Sequence, residues 1–88
     1  MLGIPGWEQQ VLDLESGQEL VFEAETIRYR YWVVLEGMAC ATVESVSIDL
    51  EPGQVIYLVP HSRANLKNIG PRKLRVLATT MEITRKKV

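Results

Sequence analysis

The sequence predicts an all-β fold, a small barrel or jelly roll made of short antiparallel strands. No segment carries a 3.6-residue apolar period long enough for a helix. Instead, short β-rich segments are interrupted by glycine or proline at about the 8–12-residue spacing that is typical of sandwiches and barrels. Closing so many short strands into a barrel or jelly roll hides their unpaired edges.

Each predicted strand ends at a turn signal. Leu20 and Phe22 alternate with more polar residues, residues 27–35 are the longest segment rich in Tyr, Trp and Val, and Pro52-Gly53 is a strong turn. The predicted strands are 11–14, 20–24, 27–35, 39–43, 45–50, 54–59, 64–68 and 74–83.

Length and composition predict one domain over residues 1–88, with an N-terminal arm (1–8) and a basic C-terminal tail (84–88). A chain of this size buries a marginal core, so we expect a homodimer. No apolar run reaches the roughly 18 residues of a membrane span, and no signal peptide opens the chain, so no membrane partner is expected. A single cysteine, Cys40, excludes an internal disulfide, fits a cytoplasmic location and is interpreted as a small core residue.

Charge is distributed unevenly along the chain. Residues 1–51 carry ten acidic and two basic side chains, whereas residues 52–88 carry one acidic and eight basic ones. Such a gradient can indicate a basic face for nucleic acid, or acidic strands that pair with basic ones within the fold or across a dimer. The second interpretation is favoured because the basic residues are spread along strands. No nucleic-acid partner is therefore expected.

Three segments resemble the glycine-turn framework of the cupin superfamily, namely residues 33–37, 50–58 and 65–70. Over residues 17–77 the chain is most similar to the C-terminal cupin domain of bacterial type II mannose-6-phosphate isomerase / mannose-1-phosphate guanylyltransferase. The residues in the same register are Leu20, Phe22, Arg28, Arg30, Trp32, Val33, Val34, Gly37 and Ala39. The resemblance implies a small cupin barrel.

The same resemblance implies that the family's metal site is lost. The positions of the metal ligands are occupied here by Glu25, Thr26 and Ile27, then by Arg30 and Ala64. A transition-metal site needs three or four converging N, O or S ligands, which these residues cannot supply. We therefore expect no metal and no cofactor.

The resemblance places the side chains of Arg30 and Trp32 inside the barrel, with Arg28 near its mouth. Two guanidinium groups beside an aromatic face are a plausible receptor for a carboxylate, a phosphate or a sugar acid. The alternative is that Arg30 is neutralised by Glu23 or Glu25 on the neighbouring strand and merely fills the space of the metal.

Tyr57, His61 and Arg63 complete the candidate pocket. His61 follows Pro60 at a position where the family usually has glycine, and it could act as an acid or base at the rim or simply be solvated. Arg63 could help to bind an anion there. No residue is assigned a catalytic role.

Tyr29 and Tyr31 are expected on the opposite face of their strand, together with Ile27 and Val33. This stripe could form a dimer surface. It could equally pack against the N-terminal segment around residues 7–12.

Three functions remain open. The chain can be a metal-free binding or interaction module for a small anionic or sugar-phosphate-like ligand. It can be an enzyme similar to mannose-6-phosphate isomerase or to a sugar epimerase, with Tyr57, His61 or Glu25 transferring protons. It can also be a purely structural dimer subunit.

Overall fold

A computed structural model describes residues 7–22 and 28–82 of the chain. These residues form strands only, and no helix among them is long and apolar enough to cross a membrane. The strands are β1 (Trp7–Leu14), β2 (Glu19–Phe22), β3 (Arg28–Glu36), β4 (Ala39–Val43), β5 (Val46–Leu50), β6 (Val55–Leu58), β7 (Ala64–Asn68) and β8 (Leu74–Glu82).

The strands form two four-stranded antiparallel sheets, which confirms the all-β prediction. The first sheet has the order β1-β8-β3-β6 and the second has the order β2-β7-β4-β5. Strand bounds agree with the predicted ones within one or two residues, except that β1 begins at Trp7 and so takes up the end of the predicted arm. The connection between β2 and β3, the first six residues and the basic tail lie outside the described residues.

The core lies between the sheets because side chains alternate from one face of a strand to the other. In β3, Arg30, Trp32 and Val34 are buried, whereas the residues between them are more exposed. Trp32 packs against Phe22 across the two sheets, with ring centroids 4.9 Å apart. The buried apolar residues are Leu14, Trp32, Val34, Ala39, Ala41, Leu50, Leu58, Ala64, Leu66, Leu74, Val76 and Ala78.

Cys40 does not belong to this core, contrary to the interpretation of the sequence. It lies between Ala39 and Ala41, both of which are fully buried, and is itself only half-buried. Because neighbouring side chains of a strand point to opposite faces, Cys40 falls on the outer side of its sheet.

Acidic residues of the first half lie beside basic residues of the second half, as the favoured interpretation of the charge gradient predicts. Asp13 accepts a 3.0 Å hydrogen bond from Arg75 on the paired strand, and Glu19 lies opposite Lys67. The bond from Arg75 lowers the pKa of the Asp13 carboxyl. These pairs are exposed, so they contribute more to strand register than to stability.

One buried polar side chain, Asn68, fastens the end of the sandwich that lies away from Arg30. Its Nδ2 donates to the carbonyls of Leu14, at 2.9 Å, and Arg72, at 2.7 Å, and its Oδ1 accepts from the Gly70 amide at 2.9 Å. The side chain therefore joins β1, β7 and the turn before β8.

Replacing Asn68 by alanine is expected to lower the free energy of unfolding by about 2–4 kcal/mol, because it leaves two carbonyls and one amide without partners. Asn65→Ala is the matched control on the same strand, since the Asn65 side chain bonds only to Glu19 at the surface. We expect that control to cost less than about 0.5 kcal/mol. Equal urea midpoints for the two variants would contradict this account of the buried network.

Two glycines with the same left-handed backbone provide a second comparison. Gly37 has φ 93° and Gly53 has φ 91°, but only at Gly37 would a Cβ approach backbone, at 2.8 Å from the Lys73 oxygen and 2.9 Å from the Leu74 Cα. Gly53→Ala should therefore cost about 1 kcal/mol through its backbone conformation alone. Gly37→Ala should cost roughly 1–3 kcal/mol more, because the turn and β8 must move apart. Urea unfolding checks the difference, and similar losses for both variants would count against it.

Candidate ligand cavity

A cavity of about 290 Å³ lies at one end of the sandwich, between β1, β3 and β8, and is closed on one side by Phe22 of β2. Glu8 and Gln10 on its wall are exposed, so the cavity reaches solvent. Its lining residues are Glu8, Gln9, Gln10, Leu12, Phe22, Arg28, Arg30, Trp32, Ala78 and Thr80. One wall is polar and charged, and the floor is aromatic and aliphatic.

Arg30 is the buried cation of this cavity. It is 8% exposed, and strand pairing sets it between Leu58 of β6 and Thr80 of β8. Its Nη2 donates a 2.8 Å hydrogen bond to the Ser62 carbonyl, and its Cζ lies 5.9 Å from the centroid of the Phe22 ring. Burial lowers the pKa of this guanidinium from its usual value.

The Nε of Arg30 is buried and has no hydrogen-bond partner in the part of the chain that the structure describes. Across residues 7–22 and 28–82, the ion pairs are Asp13 with Arg75 and Glu15 with Lys73, so no carboxylate of this part of the chain neutralises Arg30. Burying a guanidinium without a counter-ion is costly, and an unpaired donor adds to that cost. Because Arg30 lines the cavity, an anion that entered it would supply the missing counter-charge.

Other groups around the cavity add charge and hydrogen-bonding capacity. Arg28 stands two residues before Arg30 on the same face of β3, and the carboxylate of Glu8 lies on the neighbouring wall. Gln9 donates from Nε2 to the Thr79 hydroxyl at 3.2 Å, so its amide is already engaged. The described lining thus carries two guanidinium groups and one carboxylate, and Arg28 is engaged in an interaction of its own.

Trp32 forms the floor of the cavity rather than a free aromatic face. It is 1% exposed, and its ring is inclined at 50° to that of Phe22. Because one face of its ring is taken up by this contact and so little of it is accessible, Trp32 supports the cavity as a core residue. The aromatic face that the sequence suggested beside the guanidinium groups is therefore almost entirely buried.

The structure does not bring Tyr57, His61 or Arg63 to the cavity. Tyr57 is 74% exposed on the outer side of β6, where its ring lies 5.4 Å from that of Tyr31. Since Leu58 points inward, the neighbouring Tyr57 must point outward. Arg63 is exposed near Glu44, whose carboxylate accepts a 2.6 Å bond from the Arg63 amide.

His61 is exposed in the connection between β6 and β7, and its backbone is left-handed, with φ 67°. This conformation is unusual for a residue with a Cβ, and it explains why glycine suits the position. The next residue, Ser62, is 5% exposed, and its carbonyl is the acceptor for Arg30. His61 therefore relates to the site through its backbone, which turns immediately before Ser62, and not through its imidazole.

Among the residues of the site that the sequence did not predict are Glu8, Gln10, Thr80 and Ser62. The first two share the inward period of Leu12 and so could have been found by extending β1 toward the N-terminus. Thr80 lies opposite Arg30, which only strand register reveals. No sequence signal marks Ser62, because its carbonyl is directed by a loop.

Two of the five positions at which the resemblance placed metal ligands, Arg30 and Ala64, lie within the described residues, and neither side chain can bind a metal ion. Within residues 7–22 and 28–82, no three His, Cys, Asp or Glu side chains come together in a way that could hold one. Glu25, Thr26 and Ile27, and with them the proposed partner Glu23, lie outside the described residues.

Comparison with solved structures defines the class of fold. The cupin domain of Schizosaccharomyces pombe Cnp3 superimposes with a TM-score of 0.84 at 19% identity, covering 94% of this chain and 61% of that one. A cupin domain of an XRE family transcriptional regulator from Enterobacter cloacae gives 0.81 at 15% identity, covering 90% and 83%. A predicted oxalate decarboxylase from Thermotoga maritima gives 0.79 at 16% identity, covering 85% and 65%.

These similarities show that the chain has the cupin fold. It spans only 61% to 65% of several of these structures, including those from S. pombe and T. maritima. No family model matches the sequence, and no curated protein matches it. The finer likeness to the mannose-6-phosphate isomerase domain stays a prediction.

The left-handed backbone of His61 predicts opposite effects for two substitutions. His61→Gly should raise the free energy of unfolding by about 0.5 kcal/mol, because relief of the strained φ exceeds the added freedom of the unfolded chain. His61→Val should lower it by about 1–2 kcal/mol, since a β-branched residue resists this conformation most. Chemical denaturation of the three proteins tests the order, and a valine variant as stable as the parent would refute it.

Proposed function

We propose that this chain is a metal-free cupin that binds a small organic anion in the cavity around Arg30 and acts as a binding or interaction module rather than an enzyme. The observation that carries the proposal is the buried Arg30 guanidinium, which lines a cavity that reaches solvent and whose Nε has no hydrogen-bond partner among residues 7–22 and 28–82. A cytoplasmic location belongs to the same proposal and rests on the single, free Cys40.

The chemistry of the cavity favours an anion. Charge-assisted hydrogen bonds from a guanidinium to a carboxylate or phosphate are about twice as strong as neutral ones, and they strengthen further where water is excluded. Ligand cavities usually measure about 300–1,000 Å³. At about 290 Å³, this one suits a ligand of few heavy atoms, such as a short carboxylic acid, a sugar acid or a monosaccharide phosphate.

The placement of the titratable groups supports a non-catalytic role. A general acid or base must come within hydrogen-bond reach of the reacting atom. Tyr57 and His61 lie away from the cavity, and Glu8 is the one acidic side chain on its described wall. The alternative of a sugar-phosphate isomerase or epimerase would have to work through Glu8 or through Glu25, which lies outside the described residues.

A simple assay separates these two functions. Conversion of mannose 6-phosphate or related sugar phosphates by protein treated with a chelator would establish the enzyme and remove the binding module. Binding without turnover supports the module.

The solved structures are in keeping with a module. Two of them are named as cupin domains of larger proteins, one of Cnp3 and one of a transcriptional regulator. One is named as a predicted oxalate decarboxylase, so the same fold also carries a name that implies catalysis. The proposal therefore depends on the residues of this cavity and not on the fold.

Thermal-shift screening against carboxylates, sugar acids and sugar phosphates should identify a ligand, since binding to the native state raises the melting temperature. For that ligand, Arg30→Ala and the bulkier Arg30→Met should each lower affinity at least about 100-fold while the fold is kept, because the main charge-assisted bond is lost. Calorimetric titration measures the effect. Arg63→Ala is the control and should bind like the parent.

The same variants decide whether Arg30 is a receptor or an internal structural charge. If Arg30 serves a ligand, Arg30→Met removes an uncompensated buried cation and should raise the stability of the ligand-free protein by about 1–2 kcal/mol. If Glu23 or Glu25 neutralises Arg30, Arg30→Met leaves that carboxylate without its partner and should lower stability by about 3–5 kcal/mol. Unchanged affinity in Arg30→Ala, or a destabilised Arg30→Met, would overturn the proposal.

A further inference from the structure

Left-handed backbone outside glycine is concentrated at one corner of the sandwich. Within residues 7–22 and 28–82 it occurs at Glu44 and Ser45, in the turn between β4 and β5, and at His61, in the connection between β6 and β7. Such conformations are uncommon for residues with a Cβ, and they persist only where surrounding contacts hold them. The contacts that join this turn to this connection therefore have a structural consequence.

Glu44 holds the main chain of Arg63 from two directions. Its backbone N–H donates to the Arg63 carbonyl at 3.1 Å, and its carboxylate Oε2 accepts from the Arg63 N–H at 2.6 Å. The neighbouring residues, Val43 and Ala64, form the last pair of the ladder between β4 and β7. Two opposed residues of an antiparallel ladder can exchange both main-chain hydrogen bonds. At Glu44 the carboxylate accepts in place of the main-chain carbonyl, and this extends the ladder to Arg63.

The hydrogen bond from Arg63 to Glu44 is connected to Arg30 by a single peptide group. The N–H of Arg63 and the carbonyl of Ser62 belong to the same peptide unit, which is planar and trans, so they point in opposite directions. The N–H donates to the Glu44 carboxylate, and the carbonyl accepts from Nη2 of Arg30 at 2.8 Å. Fixing one of these hydrogen bonds therefore fixes the direction of the other.

The two ends of this bridge carry opposite charges. A carboxylate that accepts from the N–H polarises the peptide group and makes its carbonyl a better acceptor, because hydrogen bonds in a chain strengthen one another. The inner hydrogen bond is shielded from solvent, since Ser62 and Arg30 are both buried, whereas Glu44 is exposed. The bridge thus supports the buried guanidinium without burying a carboxylate beside it.

We propose that Glu44 is a positioning residue of the anion site and that it acts on Arg30 through the Ser62–Arg63 peptide group. This role rests on the proposed function, which assigns the anion to the cavity around Arg30. By holding the peptide group, Glu44 keeps the guanidinium in one orientation before a ligand arrives. Ordering a side chain during binding costs affinity, so a guanidinium that is already ordered binds an anion more tightly.

A double-mutant cycle tests the link without a ligand. Glu44→Ala keeps a Cβ at the left-handed position, so it removes the carboxylate hydrogen bond and leaves the backbone cost in place. It should raise the unfolding equilibrium constant of the parent at least about threefold more than that of Arg30→Met, in which the inner hydrogen bond is already absent. Urea unfolding of the four proteins measures both factors. Equal factors would show that Glu44 secures only its own turn, and would overturn the proposal.

Glu51→Ala is the matched control for charge. Glu51 is an exposed acidic residue just after β5, as Glu44 is just before it, so its removal changes the net charge by the same amount. The effect of Glu51→Ala on unfolding should be the same in the parent and in Arg30→Met. An equally large coupling of Glu51 to Arg30 would mean that the cycle reports general electrostatics, and this result would also count against the bridge.

Titration of inorganic phosphate and of acetate tests the effect on binding, with the Arg30 Nε–H resonance of the isotopically labelled chain as the reporter. Glu44→Ala should raise the dissociation constant about threefold to tenfold, the range expected for ordering one long side chain. Glu44→Gln keeps an oxygen acceptor of the same reach and should restore the constant to within about twofold of the parent. Glu51→Ala should bind like the parent.

Failure of the positioning role and failure of the proposed function give different results. An Arg30 resonance that responds to neither anion in the parent overturns the proposed function, and the positioning role with it. A response that Glu44→Ala leaves unchanged overturns the positioning role alone. Weaker binding in Glu44→Ala that Glu44→Gln restores supports both, since a merely structural turn residue would not alter the Arg30 signal.

Discussion

A guanidinium is buried in this sandwich among aliphatic and aromatic side chains, and the contacts around it define the candidate site. Arg30 comes from β3, and within residues 7–22 and 28–82 its guanidinium donates to the carbonyl of Ser62 in the β6–β7 connection, with the ring of Phe22 beside it from the opposite sheet. That carbonyl directly follows the left-handed backbone of His61. Three separate parts of the chain thus meet at one cation, and the cavity is the space that they leave around it.

Within the described residues the buried guanidinium of Arg30 is only partly hydrogen-bonded, and for this reason it is the candidate group for binding a ligand. A core that selection had shaped for stability alone would replace a buried, half-satisfied guanidinium by an apolar side chain of similar volume. The contrast with Asn68 is instructive, since that buried amide has a partner for both its nitrogen and its oxygen. The Asn68 side chain is therefore hydrogen-bonded through both of its polar atoms. At the other end of the sandwich, the Nε of Arg30 has no acceptor within residues 7–22 and 28–82.

Strand β3 presents two different surfaces. Its inner side gives Arg30 and Trp32 to the cavity, and its outer side carries Tyr31 and Val33. Alternation of side chains separates the two surfaces, so variants of one should leave the other intact. The strand also links them mechanically, because it is paired with β6 on one side and β8 on the other.

Most of the fold could be predicted from the sequence, because turn residues and the two-residue alternation are local signals. Glycine and proline turns predicted the strand bounds, and the register of the cupin resemblance predicted an inward Arg30. It did not determine that Tyr57 faces outward, since Ile56, Tyr57 and Leu58 are all apolar enough to be buried. Nor did it reveal that the Ser62 carbonyl would meet Arg30, or that Glu8 and Thr80 would stand beside the cavity. Only tertiary structure decided these points, because they depend on which strands become neighbours and on where a loop directs its backbone.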